Sequence, residues 1–87
     1  MAKKGLIIKV YSTPTCPYCN MEKEWLKKNN VDFISIDVTK DLTAAKEIVA
    51  RTGQRGVPQT LIKKSESDEG VVIVGFQKEE LKKLLGI

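Results

Sequence analysis

The tetrapeptide Cys16-Pro17-Tyr18-Cys19 lies between a short β-branched run and a stretch of helical periodicity. That placement constrains the fold more than any other feature of the chain. Upstream, Leu6 to Tyr11 contains Ile7, Ile8 and Val10 and reads as a buried strand. Ser12-Thr13-Pro14-Thr15 breaks it. Downstream, Tyr18, Met21, Trp25, Leu26 and Asn29 fall at helical spacing from Pro17 to about Lys28, and Asn29-Asn30 ends the helix. Proline is favoured at the first helical residue, where a missing N–H costs nothing. With Pro17 there, Cys16 becomes the N-cap. Its sulfur then meets the N–H groups of Tyr18 and Cys19 and the positive end of the helix dipole. Both favour thiolate over thiol and pull the Cys16 pKa below the free value of about 8.5. Helical residues three apart have Cα atoms on the order of 5 Å apart, inside the roughly 4.4–6.8 Å that a disulfide accepts. Cys16 can therefore attack a disulfide, and Cys19, one turn inward and less exposed, can resolve the product.

The remaining pattern supplies the other elements. Val31 to Val38, with Phe33, Ile34 and Ile36, reads as a second strand. Leu42, Ala45, Ile48 and Val49 mark a second helical face, entered near Asp41 and stopped by Gly53. Gln59 to Lys63 and Val71 to Val74 are strands joined by the turn Ser65-Glu66-Ser67-Asp68-Glu69-Gly70, a hairpin. Leu81, Leu84 and Leu85 give a final helix. The order is β-α-β-α-β-β-α. Two strands joined through a helix should run parallel with a right-handed crossover. The closing hairpin then yields an α/β fold with a four-stranded mixed sheet and helices on both faces. A length of 87 residues predicts one domain over 1–87.

Composition narrows the function. Hydrophobic residues make up 41% and charged residues 30%, which suits a globular core with a soluble surface. No apolar stretch approaches the roughly 20 residues of a membrane span. Met1-Ala2-Lys3-Lys4 is basic, but only Leu6-Ile7-Ile8 precedes Lys9, too little for the apolar part of a signal peptide. A cytoplasmic location is expected. The net charge is +4, yet the lysines are scattered and no basic stripe is interleaved with aromatics, so nucleic-acid binding is not expected. There are two cysteines and no histidine. Zinc sites usually take four protein ligands, so a metal or iron–sulfur carrier built on Cys16 would need a second chain or free thiols to complete it. A structural disulfide closing so short a loop would stabilise little.

Gly53-Gln54-Arg55-Gly56-Val57-Pro58 is the second informative segment. A cis Val57-Pro58 bond ahead of a strand would turn the N–H and C=O of Val57 outward, to pair with a substrate backbone as a short antiparallel strand.

Together these residues resemble a known family. Tyr11-Ser12-Thr13-Pro14-Thr15-Cys16-Pro17-Tyr18-Cys19 is similar to the active-site strand and motif of dithiol glutaredoxins. Arg51 to Gln59 resembles the loop before their third strand, and Gly75-Phe76 stands at their paired glycines. The resemblance covers essentially the whole chain. It implies a thioredoxin fold and a monomeric cytoplasmic reductase of protein disulfides and glutathione mixed disulfides. It implies glutathione as co-substrate, with no bound cofactor and no metal. The nucleophile position falls on Cys16 and the resolving position on Cys19. The implied substrate-binding residues are Thr13, Tyr18, Gln54, Arg55, Val57, Pro58, Gly75, Phe76 and Gln77. Among them Val57 pairs with the bound peptide, Tyr18 lines the groove, and Arg51, Gln54 or Arg55 meets the terminal carboxylate of glutathione, a role suited to a planar guanidinium.

Two positions depart from the family pattern. Many glutathione-using members carry Lys or Arg three residues before the first cysteine, where this chain has Thr13. They also carry an Asp after the paired glycines, where this chain has Lys78, with Glu79 beside it. The Gly-Phe pair is more like the redoxins that serve ribonucleotide reductase and accept electrons from a thioredoxin reductase. Disulfide-containing proteins such as ribonucleotide reductase, and a thioredoxin reductase, are therefore expected partners beside glutathione.

Overall fold

The β-branched run forms β1 (Ile7–Ser12), an interior strand of a sheet ordered β2-β1-β3-β4. This computed structural model describes residues 5–87, and the basic segment Met1-Ala2-Lys3-Lys4 lies outside them. Around β1 the chain runs α1 (Pro17–Lys28), β2 (Ile34–Asp37), α2 (Leu42–Thr52), β3 (Gln59–Lys63), β4 (Val71–Val74) and α3 (Lys78–Leu85). β1 is parallel to β2 and antiparallel to β3, and β3 is antiparallel to β4. The order and the mixed sheet are those the sequence predicts.

Strand alternation sorts the core into two layers. Ile8, Val10, Ile62 and Ile73 pack with Leu26 of α1 and Leu81 and Leu85 of α3. Tyr11 and Leu61 pack with Ala44 and Ile48 of α2 on the other face. Registers such as Ile8↔Ile62 and Val10↔Thr60↔Ile73 keep each layer continuous across the sheet. Each fully buried leucine, Leu26, Leu81 and Leu85, contributes about 1.5–3 kcal/mol of transfer free energy.

Three local readings are corrected. The second strand is shorter than Val31 to Val38. Asn30 adopts φ +58°, its N–H donates to Lys27 O at 3.1 Å, and the Val31 N–H donates to Leu26 O at 3.0 Å. This is a Schellman ending to α1, with Val31 packed in the same cluster as Leu26. Val31 therefore closes the helix, and pairing begins only at Ile34. The inward face of α1 is Cys19, Glu22 and Leu26, while Tyr18 and Met21 are exposed and Trp25 is half-buried. In α2 the buried residues are Ala44 and Ile48, and Leu42 is exposed. That helix starts where Asp41 Oδ1 accepts the Ala44 N–H at 2.9 Å and ends on Gly53 at φ +72°.

The hairpin turn is organised by Asp68, which accepts the N–H of Lys64 at 2.8 Å and of Gly70 at 3.1 Å. These bonds, the Lys64 one foremost, hold the Asp68 carboxyl below its ordinary range.

Candidate active site

β1 delivers the chain to the site, and the following turn stops at Cys16, whose N–H donates to Thr13 O at 3.4 Å. Cys16 is extended (φ −88°, ψ 111°) and is the N-cap of α1, with Pro17 in the first turn. Its Sγ accepts the Cys19 N–H at 3.1 Å. Of the two N–H groups expected there, the Cys19 one makes the bond. The two cysteines are paired as a disulfide with Cα atoms 5.2 Å apart. Cys16 is half-buried and Cys19 is fully buried. An incoming group reaches Cys16 first, and helix capping stabilises a thiolate on that sulfur once the disulfide is reduced.

The reduced protein is expected to react with iodoacetamide at Cys16 already at pH 6, where an ordinary thiol is mostly protonated. The test is the alkylation rate against pH. An inflection near the free-thiol value of about 8.5 contradicts the capping argument.

The second wall comes from the loop before β3. Val57-Pro58 is cis, and Val57 O lies 3.7 Å from Cys16 Sγ. Pro58 O accepts the Gly75 N–H at 2.8 Å, which ties the start of the β4–α3 connection to the same place. Cys16, Cys19, Val57, Pro58 and Gly75 are thus brought together. Phe76 continues outward and packs edge-to-face on Trp25, centroids 5.9 Å apart, with Lys78 Nζ 5.6 Å from the Phe76 centroid. Gln77 turns back to Val74 O at 2.6 Å. Thr13 is half-buried and Tyr18 is exposed beside the cysteines.

Arg51 takes a different place from the one the resemblance implies. Its Nη2 donates to Gly70 O at 2.7 Å, so it braces the hairpin turn. Gln54 and Arg55 remain exposed on the loop. Two buried polar residues were not singled out from the sequence. Gln59 is fully buried, and its Nε2 donates to Gln54 O at 2.9 Å and Gly56 O at 3.0 Å, bracing the loop that presents Val57. Glu22 is also fully buried and accepts a hydrogen bond from the Thr60 hydroxyl. Burial pushes its carboxyl above the ordinary carboxylate range, against the opposing Thr60 bond and the charge of Lys23. The signal for Glu22 was its spacing, three residues after Cys19 and four before Leu26.

An accessible sulfur at a helix N-cap, disulfide-bonded to a buried partner and faced by a cis-proline loop, defines a dithiol redox site on a thioredoxin fold. The glutaredoxin family profile matches residues 8–66, and the chain belongs to the glutaredoxin family. An uncharacterized glutaredoxin-like 8.6 kDa protein of the rubredoxin operon of Clostridium pasteurianum is 43% identical over 79 residues, covering 91% of this chain and 97% of that protein. Among solved structures, the thioredoxin-like protein BC3987 is 38% identical with a TM-score of 0.76, covering 90% of this chain and 99% of that one. The glutaredoxin of Archaeoglobus fulgidus is 26% identical with a TM-score of 0.73, covering 97% and 86% respectively.

Proposed function

We propose that this chain is a cytoplasmic, monomeric thiol–disulfide oxidoreductase that reduces protein disulfides, and glutathione mixed disulfides less well, through Cys16 and Cys19. The observation that carries this reading is the pairing of half-buried, helix-capped Cys16 with fully buried Cys19 at 5.2 Å between Cα atoms. In the reduced protein the Cys16 thiolate attacks one sulfur of a substrate disulfide. That bond breaks and the other substrate sulfur leaves as thiolate. Cys19 then attacks Cys16 Sγ, the mixed disulfide breaks, and the second substrate thiol leaves. Two electrons have passed to the substrate, and the Cys16–Cys19 disulfide remains. The N–H and C=O of Val57, held beside Cys16, suit an extended substrate backbone. Tyr18 lines one side of that groove, and Pro58, Gly75, Phe76 and Gln77 form the other. Protein disulfides such as that of ribonucleotide reductase are the substrate class this reading favours over a metal or iron–sulfur cargo on Cys16.

Re-reduction takes electrons from glutathione or from a thioredoxin-reductase-type flavoenzyme, and the charges favour the second. Thr13 supplies no cation beside Cys16, and Arg51 is engaged with Gly70 O, leaving Gln54 and Arg55 for the glycyl carboxylate. Lys78 stands where the α-ammonium of the γ-glutamyl end would be met by Asp. Glu79 is one residue further along α3 and exposed, with Lys82 at 4.0 Å as a neighbouring cation. Near a surface, charges about 4 Å apart interact by roughly 1–4 kcal/mol, and exposure brings this toward the lower end. Slow turnover is expected with glutathione and glutathione reductase, and faster turnover with thioredoxin reductase from the same source. Lys78→Asp should raise the glutathione rate by about fivefold, the equivalent of roughly 1 kcal/mol. Rapid turnover with glutathione that Lys78→Asp leaves unchanged would remove the basis for this assignment.

A further inference from the structure

Glu22 has no part in the exchange described so far, yet it occupies a costly position. Its side chain is fully buried on the inward face of α1, between Cys19 and Leu26. Oε2 accepts a hydrogen bond from the Thr60 hydroxyl of β3, and Oε1 has no hydrogen-bond partner among the described residues. Buried polar atoms are nearly always paired, and an orphaned carboxylate oxygen costs free energy that a methionine or leucine at this position would avoid. The surroundings offer Glu22 little compensation. Val10, Ile73, Leu81 and Leu85, which the other elements place in this layer, are uncharged. Lys23, the next residue on the helix, is the charged group that acts on it. The remaining titratable neighbour on the same buried face is Cys19. Helical residues three apart have Cβ atoms about 5–6 Å apart, within reach of an extended glutamate side chain.

Cys19 has a chemical need that this carboxyl meets. It is fully buried, so in the reduced protein burial favours its neutral thiol. To attack the mixed disulfide it must lose a proton in a site without water access of its own. When an incoming thiolate later opens the Cys16–Cys19 disulfide, Cys19 leaves as a buried thiolate and must regain one.

We propose that Glu22 exchanges the proton of Cys19. It accepts that proton on Oε1 as Cys19 attacks Cys16 Sγ, and returns it as Cys19 is released from the disulfide. In the forward step the Cys19–Cys16 S–S bond forms, the Cys16–substrate S–S bond breaks, the substrate sulfur leaves with the electron pair, and the Cys19 proton passes to Glu22. The proposal rests on the exchange reading above and assigns a residue to its second step. The upward displacement of the Glu22 carboxyl brings it nearer to working pH, where a proton carrier is most effective.

The two steps separate in a stopped-flow reaction of the reduced protein with 5,5′-dithiobis(2-nitrobenzoate). Attack by Cys16 releases one thionitrobenzoate in a phase that scales with reagent concentration. Attack by Cys19 releases a second in a phase independent of it. Glu22→Gln keeps the volume and a hydrogen-bonding partner for Thr60. It should leave the first phase within twofold of the wild type and slow the second by about a hundredfold at pH 6–7. The deficit should close at alkaline pH, where Cys19 ionises unaided. Thr60→Val removes the bond that lowers the Glu22 pKa, so the inflection of the second phase should move to higher pH while the first phase stays in place. A second phase in Glu22→Gln with wild-type rate and pH profile overturns the proposal, as does an unmoved inflection in Thr60→Val. Absence of the first phase in the wild-type protein instead overturns the exchange reading itself.

Discussion

Cys16→Ser is expected to abolish disulfide exchange altogether, and Cys19→Ser to turn the protein into a trap for its protein substrates. A serine hydroxyl does not ionise near neutral pH, so the helix N-terminus cannot turn it into a nucleophile that attacks sulfur. The first bond is then never made. With Cys19→Ser the first bond is made, but nothing inside the protein can attack Cys16 Sγ, and the mixed disulfide persists. The asymmetry follows from burial: Cys19 is fully enclosed while Cys16 meets solvent and the Val57 edge. Removal of glutathione from a glutathionylated protein should survive Cys19→Ser, because free glutathione can resolve that intermediate from outside. The measurement is insulin reduction for activity, with non-reducing mass spectrometry for the trapped adduct. Residual exchange in Cys16→Ser, or no adduct in Cys19→Ser, would show that the roles are reversed.

The features that could be read in the sequence are those fixed by local backbone chemistry. Pro17 has no N–H to lose and so marks the first helical turn, which makes Cys16 the cap whatever the rest of the chain does. Gly53 takes a positive φ and ends α2, and Asn29-Asn30 ends α1, for equally local reasons. That Val57-Pro58 can be cis follows from the proline alone, but the choice of cis over trans is made by the surrounding fold. What could not be read depends on how the elements are rotated and registered against one another. Tyr18, Met21 and Trp25 form an apolar stripe one residue out of step with Cys19, Glu22 and Leu26. Apolar content favours the first stripe as the buried one. Packing of Leu26 with Ile8, Val10 and Leu81, and the Glu22–Thr60 hydrogen bond across the layer, go with the second. Tyr18 and Met21 are then left exposed, Tyr18 beside the cysteines, while Trp25 stays half-buried against Phe76. The register of β3 likewise decides that Gln59 points inward under the loop, and hairpin folding brings Gly70 O to Arg51 from nineteen residues away. Periodicity along one segment carries no information about partners of this kind.

Gly70→Ala should cost far more stability than Gly53→Ala, although both glycines have φ +72°. Any L-residue with a side chain loses roughly 1–2 kcal/mol in that left-handed region, and this applies to both positions. The surroundings separate them. A Cβ on Gly53 would meet nothing within 4 Å. A Cβ on Gly70 would lie 2.5 Å from Ile62 O and 2.7 Å from Lys63 Cβ, and neither is the free end of a flexible side chain. Relieving that overlap means moving the backbone of β3 where it pairs with β1 and β4. Overpacking against rigid structure costs about 1–3 kcal/mol beyond the conformational term. For a domain of this size each kcal/mol lowers Tm by roughly 4–8 °C. Gly70→Ala should therefore melt about 8–40 °C below the wild type and Gly53→Ala about 4–16 °C below it, with the Gly70 shift the larger by at least about 4 °C, in thermal unfolding of the oxidised proteins followed by circular dichroism. Equal shifts would mean that the hairpin yields freely and that the close approach at Gly70 carries no cost. The disulfide and its cap lie beyond the other end of β1, where Thr13-Pro14-Thr15 leads from Ser12 to Cys16, whereas Gly70 abuts the Ile7↔Lys63 end. At 25 °C the folded fraction of Gly70→Ala should thus reduce insulin at the wild-type rate per molecule, which separates loss of fold from loss of site.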